Sequence, residues 1–240
     1  MKIKKGVQET WSKIAHKFDE LRKLPWPDLI DFIHESDFID SSGKEIGSVL
    51  DLGCGNARHI RYIKDESITN RTFYGIAVDI SLNFLIIAKE TDDEINYINA
   101  DANYLPFKDK IFKKILYIAA IHHIPTRLMR EKSLSEIERV CDSELLITVW
   151  RLWQKRFYKY FLDEIKKKRY EEWNGEFGDI WVPWKDQERN IVAKRFYHLY
   201  SIDEFKQLVK KSNFEMVNFK IAGTRKEKGT IFALLKIKKS

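Results

Sequence analysis

The residues best placed to do chemistry lie between Asp51 and Asp79. Residues 49–57, VLDLGCGNA, read as a short apolar strand running into a turn that contains Gly53 and Gly55. Glycine has no Cβ, so the backbone can turn sharply at both positions and let a ligand approach closely. Residues 73–81, FYGIAVDIS, form a second apolar run ending at Asp79. A carboxylate at the end of the second strand of such a unit can accept from both hydroxyls of a ribose. The D-x-G-x-G spacing is not the G-x-G-x-x-G of a dinucleotide site. Taken together, strand, glycine turn, helix and acidic second strand predict a site for a ribose-bearing ligand. Asp51, Gly53, Cys54, Gly55, Asp79 and Ile80 are its candidate residues, and a tight turn without a ligand is the competing reading.

Further candidates fall at the same edge. Asp101 follows a third apolar run, and an acidic residue there can accept from an adenine amino group. An ordinary turn Asp is an equal alternative. Ala102 adjoins it, and Ile118 ends a fourth apolar run. That run continues into His122 and His123. A lone histidine would more often cap or pack, but a pair at the end of a buried strand points to function.

These residues must be positioned by alternating strands and helices. The pattern predicts strands at 48–52, 73–79, 95–99, 112–119 and 144–150, with helices at 57–64, 81–89 and 127–140. Such alternation argues for a parallel sheet covered on both faces, with every strand's carboxyl end on one edge. Before it, Glu9 to Lys23 looks helical, with Trp11, Ile14, Ala15 and Phe18 on one face. Pro25 and Pro27 then break the chain, and a short helix runs from Asp28 to Glu35. Residues 36–47 read as a polar loop. After the sheet, residues 151–169 read as a helix with eight basic and two acidic residues interleaved with aromatics. This is either an amphipathic helix with its lysines in water or a phosphate-tracking face. Residues 174–190 read as an irregular lid or substrate-side insert. Ser201 is a plausible N-cap for a helix at 202–211, and strands at 214–222 and 230–238 would close the sheet as an antiparallel pair.

The bulk numbers fit one domain of 240 residues, with a helical cap over 1–40 and a substrate-side region over 151–200. Hydrophobic content is 44%, so disorder is not expected. No apolar run approaches a membrane span, and the basic start lacks the apolar stretch of a signal peptide, so a cytoplasmic protein with no membrane association is expected. Cys54 and Cys141 lack metal-ligand spacing, and no metal is expected. The net charge of +7 fits a polyanionic partner without requiring one.

At this point the residues resemble a specific family. DLGCG is similar to the S-adenosylmethionine (SAM) loop of the Rossmann-like class I methyltransferases. Beyond that loop, AHKFDELRKLPWP (15–27), IAAIHHIPT (118–126), DIWVPW (179–184) and RFYHLYS (195–201) resemble the tRNA wobble-uridine carboxymethyl methyltransferases. The likeness covers nearly the whole chain. It departs at Ala57, where the family usually has Gly, and before the fifth strand, where the usual Pro-Gly-Gly turn is absent.

The resemblance implies an α/β fold with a mostly parallel seven-stranded sheet, helices on both faces and an antiparallel C-terminal strand pair. It implies SAM as cofactor and esterification of 5-carboxymethyluridine in the tRNA anticodon stem-loop. Such an esterification needs an aligned carboxylate and no general base. One or two cationic donors would hold the carboxylate. Arg22, in the specific N-terminal block, is the first candidate, and His122 or His123 is the second donor or a uridine-edge contact. Arg195, His198 and Arg151 are weaker candidates. Trp26, Trp150 and Tyr197 are candidates to stack on a flipped base, with core packing as the alternative. The resemblance also implies a heterodimer with a small zinc-binding activator subunit, paired along residues 95–99, without which the chain would be poorly soluble or weakly active. Two other readings compete. One is methylation of a small carboxylate or phenol. The other is a catalytically silent scaffold, against which the intact Asp51, Gly53, Gly55 and Asp79 argue.

Overall fold

A computed structural model of the chain describes residues 2–39, 46–66, 73–169, 175–223 and 229–238. The middle of the predicted polar loop, 40–45, and the side chains of Lys168 and Arg169 lie outside the described residues.

The elements follow in the order α1 (Lys2–Leu21), α2 (Pro27–Glu35), β1 (Gly47–Leu52), α3 (Arg58–Glu66), β2 (Phe73–Asp79), α4 (Leu82–Thr91), β3 (Asn96–Asn99), β4 (Phe112–Ile118), α5 (Arg127–Val140), β5 (Cys141–Trp150), α6 (Tyr158–Arg169), β6 (Asp179–Lys185), β7 (Ile191–His198), α7 (Ile202–Lys210), β8 (Phe214–Ala222) and β9 (Thr230–Ile237). Seven strands form one sheet in the order β3-β2-β1-β4-β5-β9-β8. β3, β2, β1, β4 and β5 pair in parallel, whereas β9 runs antiparallel to both β5 and β8. The chain winds outward through β2 and β3 on one side of β1 and through β4 and β5 on the other. The crevice at the carboxyl ends of β1 and β4 is therefore the switch point at which open α/β sheets bind ligands.

Side-chain alternation along the strands divides the core in two. Leu50, Ile115 and Leu145 face Leu134 and Ile137 of α5 and Phe205 and Leu208 of α7. Val49, Leu116 and Leu146 face Phe32 and Ile33 of α2, Ile60 and Ile63 of α3, and Leu85 of α4. Strands buried on both faces explain the near-continuous apolar runs of the sequence. The Ser201 hydroxyl accepts from the Glu204 N–H at 3.1 Å and so starts α7 as an N-cap.

Four sequence expectations are corrected. First, α1 begins at Lys2 rather than Glu9, because the polar turn ahead of Trp11 continues the same helix. Second, Ala57 lies outside α3 with φ +57°, so the glycine turn extends to the family's usual Gly position, occupied here by a residue with a Cβ. Third, residues 151–154 are not helical. The Arg151 N–H donates to the Gly229 carbonyl at 2.8 Å, Arg151 bridges Tyr200, and α6 starts only at Tyr158. Fourth, the expected irregular insert is a two-stranded antiparallel ribbon, β6 with β7, packed on α6 through Phe157, Phe161, Ile180, Val182 and Leu199.

Candidate active site

A cavity opens at the switch point, bounding about 1210 Å³ of empty space that is partly continuous with solvent. Its floor is made by the loops after β1, β2 and β4. α1 and the β6–β7 ribbon close it from above.

The glycine loop is shaped for close approach. Gly53 has φ +66°, and a Cβ there would lie 2.4 Å from that of Ala120, so the site admits no side chain. Gly55 has φ +55°, and the space beside it is open. The Gly55 N–H donates to one Asp79 oxygen at 2.9 Å, and the Ser81 N–H donates to the other at 2.8 Å. These bonds fix the carboxylate while both oxygens keep further accepting capacity. Burial pushes the Asp79 carboxyl up to about 6, and the backbone donors oppose that rise. Asp101, Ala102 and Ile118 line the cavity beyond it. Glycine cradle, ribose-accepting carboxylate and a distal second carboxylate fit SAM: Asp79 would take the ribose hydroxyls, and Gly53, Cys54 and Gly55 would let the backbone meet the amino-acid end.

The opposite side of the cavity is cationic. Arg22, Arg58 and Arg195 all line it, and none forms an ion pair with a described carboxylate. Among the described residues, the carboxylates lining the cavity are Asp79 and Asp101. Burial lowers Arg58 to about 10, and Arg22 lowers it further. Burial lowers Arg195 also, again with a contribution from Arg22. Arg195 lies over the rings of Trp184 and Tyr197, at 4.7 and 5.4 Å, and its buried Nε has no hydrogen-bond partner. Arg58 lies over Phe18 and Trp26 and donates to the Arg22 carbonyl at 3.2 Å. Three guanidiniums, with Arg22 repelling each of the other two, and a buried donor without a partner among the described residues suit an anion.

Aromatic groups surround this cationic side. Trp150 stacks on Tyr197 at 4.6 Å with a 16° interplanar angle, and Trp26 meets His59 edge-on. Trp26, Trp150 and Tyr197 all line the cavity.

The two adjacent histidines differ. His123 lines the cavity, and its Nδ1 lies 2.9 Å from the Phe196 carbonyl. A carbonyl only accepts, so Nδ1 carries the proton and Nε2 is an acceptor. Burial holds its pKa down to about 3, with Arg195 adding to the shift, so the ring is neutral. A neutral ring suits an acceptor role toward a base edge better than the expected role of a charged second donor. His122 does not line the cavity. It is fully buried, stacked on Trp150, and accepts a long bond from the Trp150 N–H at 3.4 Å. Burial pushes it well below the ordinary histidine value.

Three other candidates also lie off the cavity. Asp51 is buried beneath the glycine loop, where burial, and less strongly Asp79, push its carboxyl up to about 7. Arg151 is committed to the backbone bridge with Tyr200. His198 is buried between Asp179 (Nδ1–Oδ1, 2.7 Å) and Glu204 (Nε2–Oε1, 2.8 Å). Sequence reading missed Arg58. Its place one residue after the glycine turn was the available signal, but the helical pattern made it look like a surface position.

A family model described as a methyltransferase domain matches residues 50–146. A SAM-dependent methyltransferase from Methanosarcina mazei superposes with a TM-score of 0.68 at 16% identity, covering 89% of this chain and 98% of that one. Fold and site together define a Rossmann-like class I SAM-dependent methyltransferase, with S-adenosylmethionine as its cofactor. Two relatives narrow the class. The tRNA (carboxymethyluridine(34)-5-O)-methyltransferase of Schizosaccharomyces pombe is 27% identical over 215 residues, covering 85% of this chain and 86% of that protein. Its namesake in Arabidopsis thaliana is 31% identical over 149 residues, covering 61% of this chain and 33% of that protein. The chain is thus similar, at 27–31% identity, to proteins named tRNA (carboxymethyluridine(34)-5-O)-methyltransferase. No helix of the described residues is long and apolar enough to cross a membrane.

Proposed function

We propose that the chain transfers the methyl group of SAM to the carboxylate of 5-carboxymethyluridine at the wobble position of tRNA. The observation that carries this reading is the convergence of Arg22, Arg58 and Arg195 on a cavity whose carboxylates, among the described residues, lie at the cofactor end.

Bound SAM supplies an electrophilic methyl on its sulfonium. Arg195 and Arg22 hold the substrate carboxylate, engaging one oxygen and leaving the other free for in-line attack on that methyl. The new C–O bond forms as the S–CH₃ bond breaks, and no proton moves. The nucleophile ionises near pH 4, so no base is needed, and alignment alone can contribute roughly 7–11 kcal/mol. Both histidines at the β4 end have depressed pKa values, which makes them poor bases near neutrality. A phenol, with a pKa near 10, would need such a base. That disfavours the phenol reading and leaves a small-molecule carboxylate as the alternative.

Trp26, at the cavity wall, offers a platform for a base drawn out of the anticodon loop, whereas Trp150 and Tyr197 are already stacked on each other and packed against His122, His123 and Phe157. The acceptor Nε2 of His123 suits the uracil N3–H. Among the described residues β3 pairs with β2 alone and is, with β8, one of the two edges of the sheet; it is the edge we assign to a small zinc-binding activator subunit.

The test is binding of an anticodon stem-loop carrying carboxymethyluridine, compared with one carrying the uncharged carbamoylmethyl analogue, with S-adenosylhomocysteine (SAH) present. Tighter binding of the carboxylate form, lost in Arg195→Ala, is expected. Equal binding of the two would overturn the reading.

A further inference from the structure

Asn56 links the two ends of the cavity. It directly follows Gly55 in the cofactor loop and is 2% exposed. Its Nδ2 donates to Oδ1 of Asp19 at 2.8 Å and to the carbonyl of Arg22 at 2.9 Å. Arg58, two residues on, donates to the same carbonyl. The cofactor loop therefore holds the end of α1 that presents Arg22.

The rest of α1 is attached to the second cofactor loop. Gln8 donates to the Ile80 carbonyl at 2.9 Å, Ser12 and Ser81 share a hydroxyl hydrogen bond at 3.0 Å, and Asn83 donates to the Ser12 carbonyl at 3.0 Å. The apolar cluster beneath the helix is small, with Ala15 against Phe84 and Ile87 and with Trp11 and Phe18 at its margin. Trp11 also packs on His123 and Phe18 on Trp184, so polar links to the loops after β1 and β2 act together with this packing to set the helix position. Loops that tighten around a bound cofactor would fix these acceptors and donors, and α1 with them. A ligand shifts such an equilibrium only by its differential affinity for the two arrangements, and the coupling is reciprocal.

We propose that Asn56 is a positioning residue that couples cofactor binding to the placement of Arg22, so that a filled cofactor site tightens carboxylate binding. The inference rests on the substrate reading above. Asn56 also lines the cavity, but both hydrogens of its amide are spent on Asp19 and Arg22. Its amide converts order in the glycine loop into a fixed end for α1, and substrate binding follows cofactor binding.

The test measures the dissociation constant of the carboxymethyluridine stem-loop with and without saturating SAH. In the wild type, SAH is expected to tighten RNA binding by about 10-fold, within the usual range of couplings between sites. In Asn56→Ala that factor is expected to fall toward one, while SAH still binds and the thermal transition stays cooperative. Asp19→Ala acts on the partly exposed end of the same bond, so it keeps the test open if Asn56→Ala does not fold. It is expected to lower the factor, whereas Asp19→Asn, which retains an acceptor, should preserve it. An unchanged factor in Asn56→Ala and Asp19→Ala would overturn the inference alone. No binding of this RNA by the wild type, with or without SAH, would sink the substrate reading and the inference with it.

Discussion

His123 donates its Nδ1–H to the carbonyl of Phe196 at 2.9 Å, which ties the end of β4 to the ribbon that carries Arg195. The bond fixes the tautomer, and burial holds the ring neutral with a pKa of about 3. The histidine best placed to act as a base is thereby made unfit for it near neutral pH. This separates carboxylate methylation from phenol methylation.

The single-turnover rate of methyl transfer should accordingly be flat from about pH 6 to 9, because a carboxylate nucleophile is fully ionised above its pKa near 4. Rapid-quench measurements across that range would check this. A rate rising about tenfold per pH unit toward a pKa near 10 would instead indicate a phenolic nucleophile.

His198 should make the stability of the fold pH-dependent. Both of its ring nitrogens face carboxylates, Asp179 and Glu204, so both are donors and the ring is a cation. Burial alone would lower its pKa, but these two partners more than offset that and raise it. A raised folded-state pKa gives stability that is fully present below the unfolded value near 6.5 and is lost as pH rises through the folded value. Thermal melting of the wild type and His198→Gln should therefore differ most below pH 6, by as much as about 3 kcal/mol, since one partner of a buried charge cluster is removed. The difference should shrink as pH rises through the raised folded-state value. A difference that grew with pH would contradict this assignment.

Ala57 carries backbone strain that a glycine would relieve. Its φ of +57° lies in the left-handed region, which disfavours a residue with a Cβ by roughly 1–2 kcal/mol. Part of that gain is offset by the greater freedom of glycine when unfolded. Ala57→Gly should raise the melting temperature by about 2–4 °C, the shift expected per kcal/mol for a chain of this size. Gly53→Ala should do the reverse, because its new Cβ would meet Ala120 at 2.4 Å. Calorimetry of both variants would check the pair, and equal melting temperatures would refute the strain argument.

Much of this site could be read from residue patterns because its chemistry is local. The strand, glycine turn and acidic strand end lie within about thirty residues, and their spacing alone puts Gly55 and Asp79 in reach of each other. Helix α5 was legible to its ends at 127–140, where the Thr126 side chain accepts from the Met129 N–H and Leu134 and Ile137 face the core. The ribbon was not. Pro183 and two tryptophans look like a loop, but an edge strand tolerates a proline, and β6 has a partner on one side only. Long-range burial was also hidden. Nothing next to His198 announces that Asp179 and Glu204 enclose it, and nothing next to Arg58 announces that it turns toward Arg22. Such contacts are set by topology, which local periodicity does not encode.

The central claim is most directly tested by methyl transfer from labelled SAM to tRNA bearing carboxymethyluridine, with the proposed activator subunit added, followed by nucleoside mass spectrometry. The account predicts a labelled methyl ester on the wobble uridine. It also predicts a drop of roughly 10- to 100-fold in kcat/KM in Arg195→Ala, equivalent to losing one hydrogen bond to a charged group worth about 1.5–3 kcal/mol. SAM binding without transfer to any tRNA, with the partner present, would contradict the account and favour a small-molecule carboxylate.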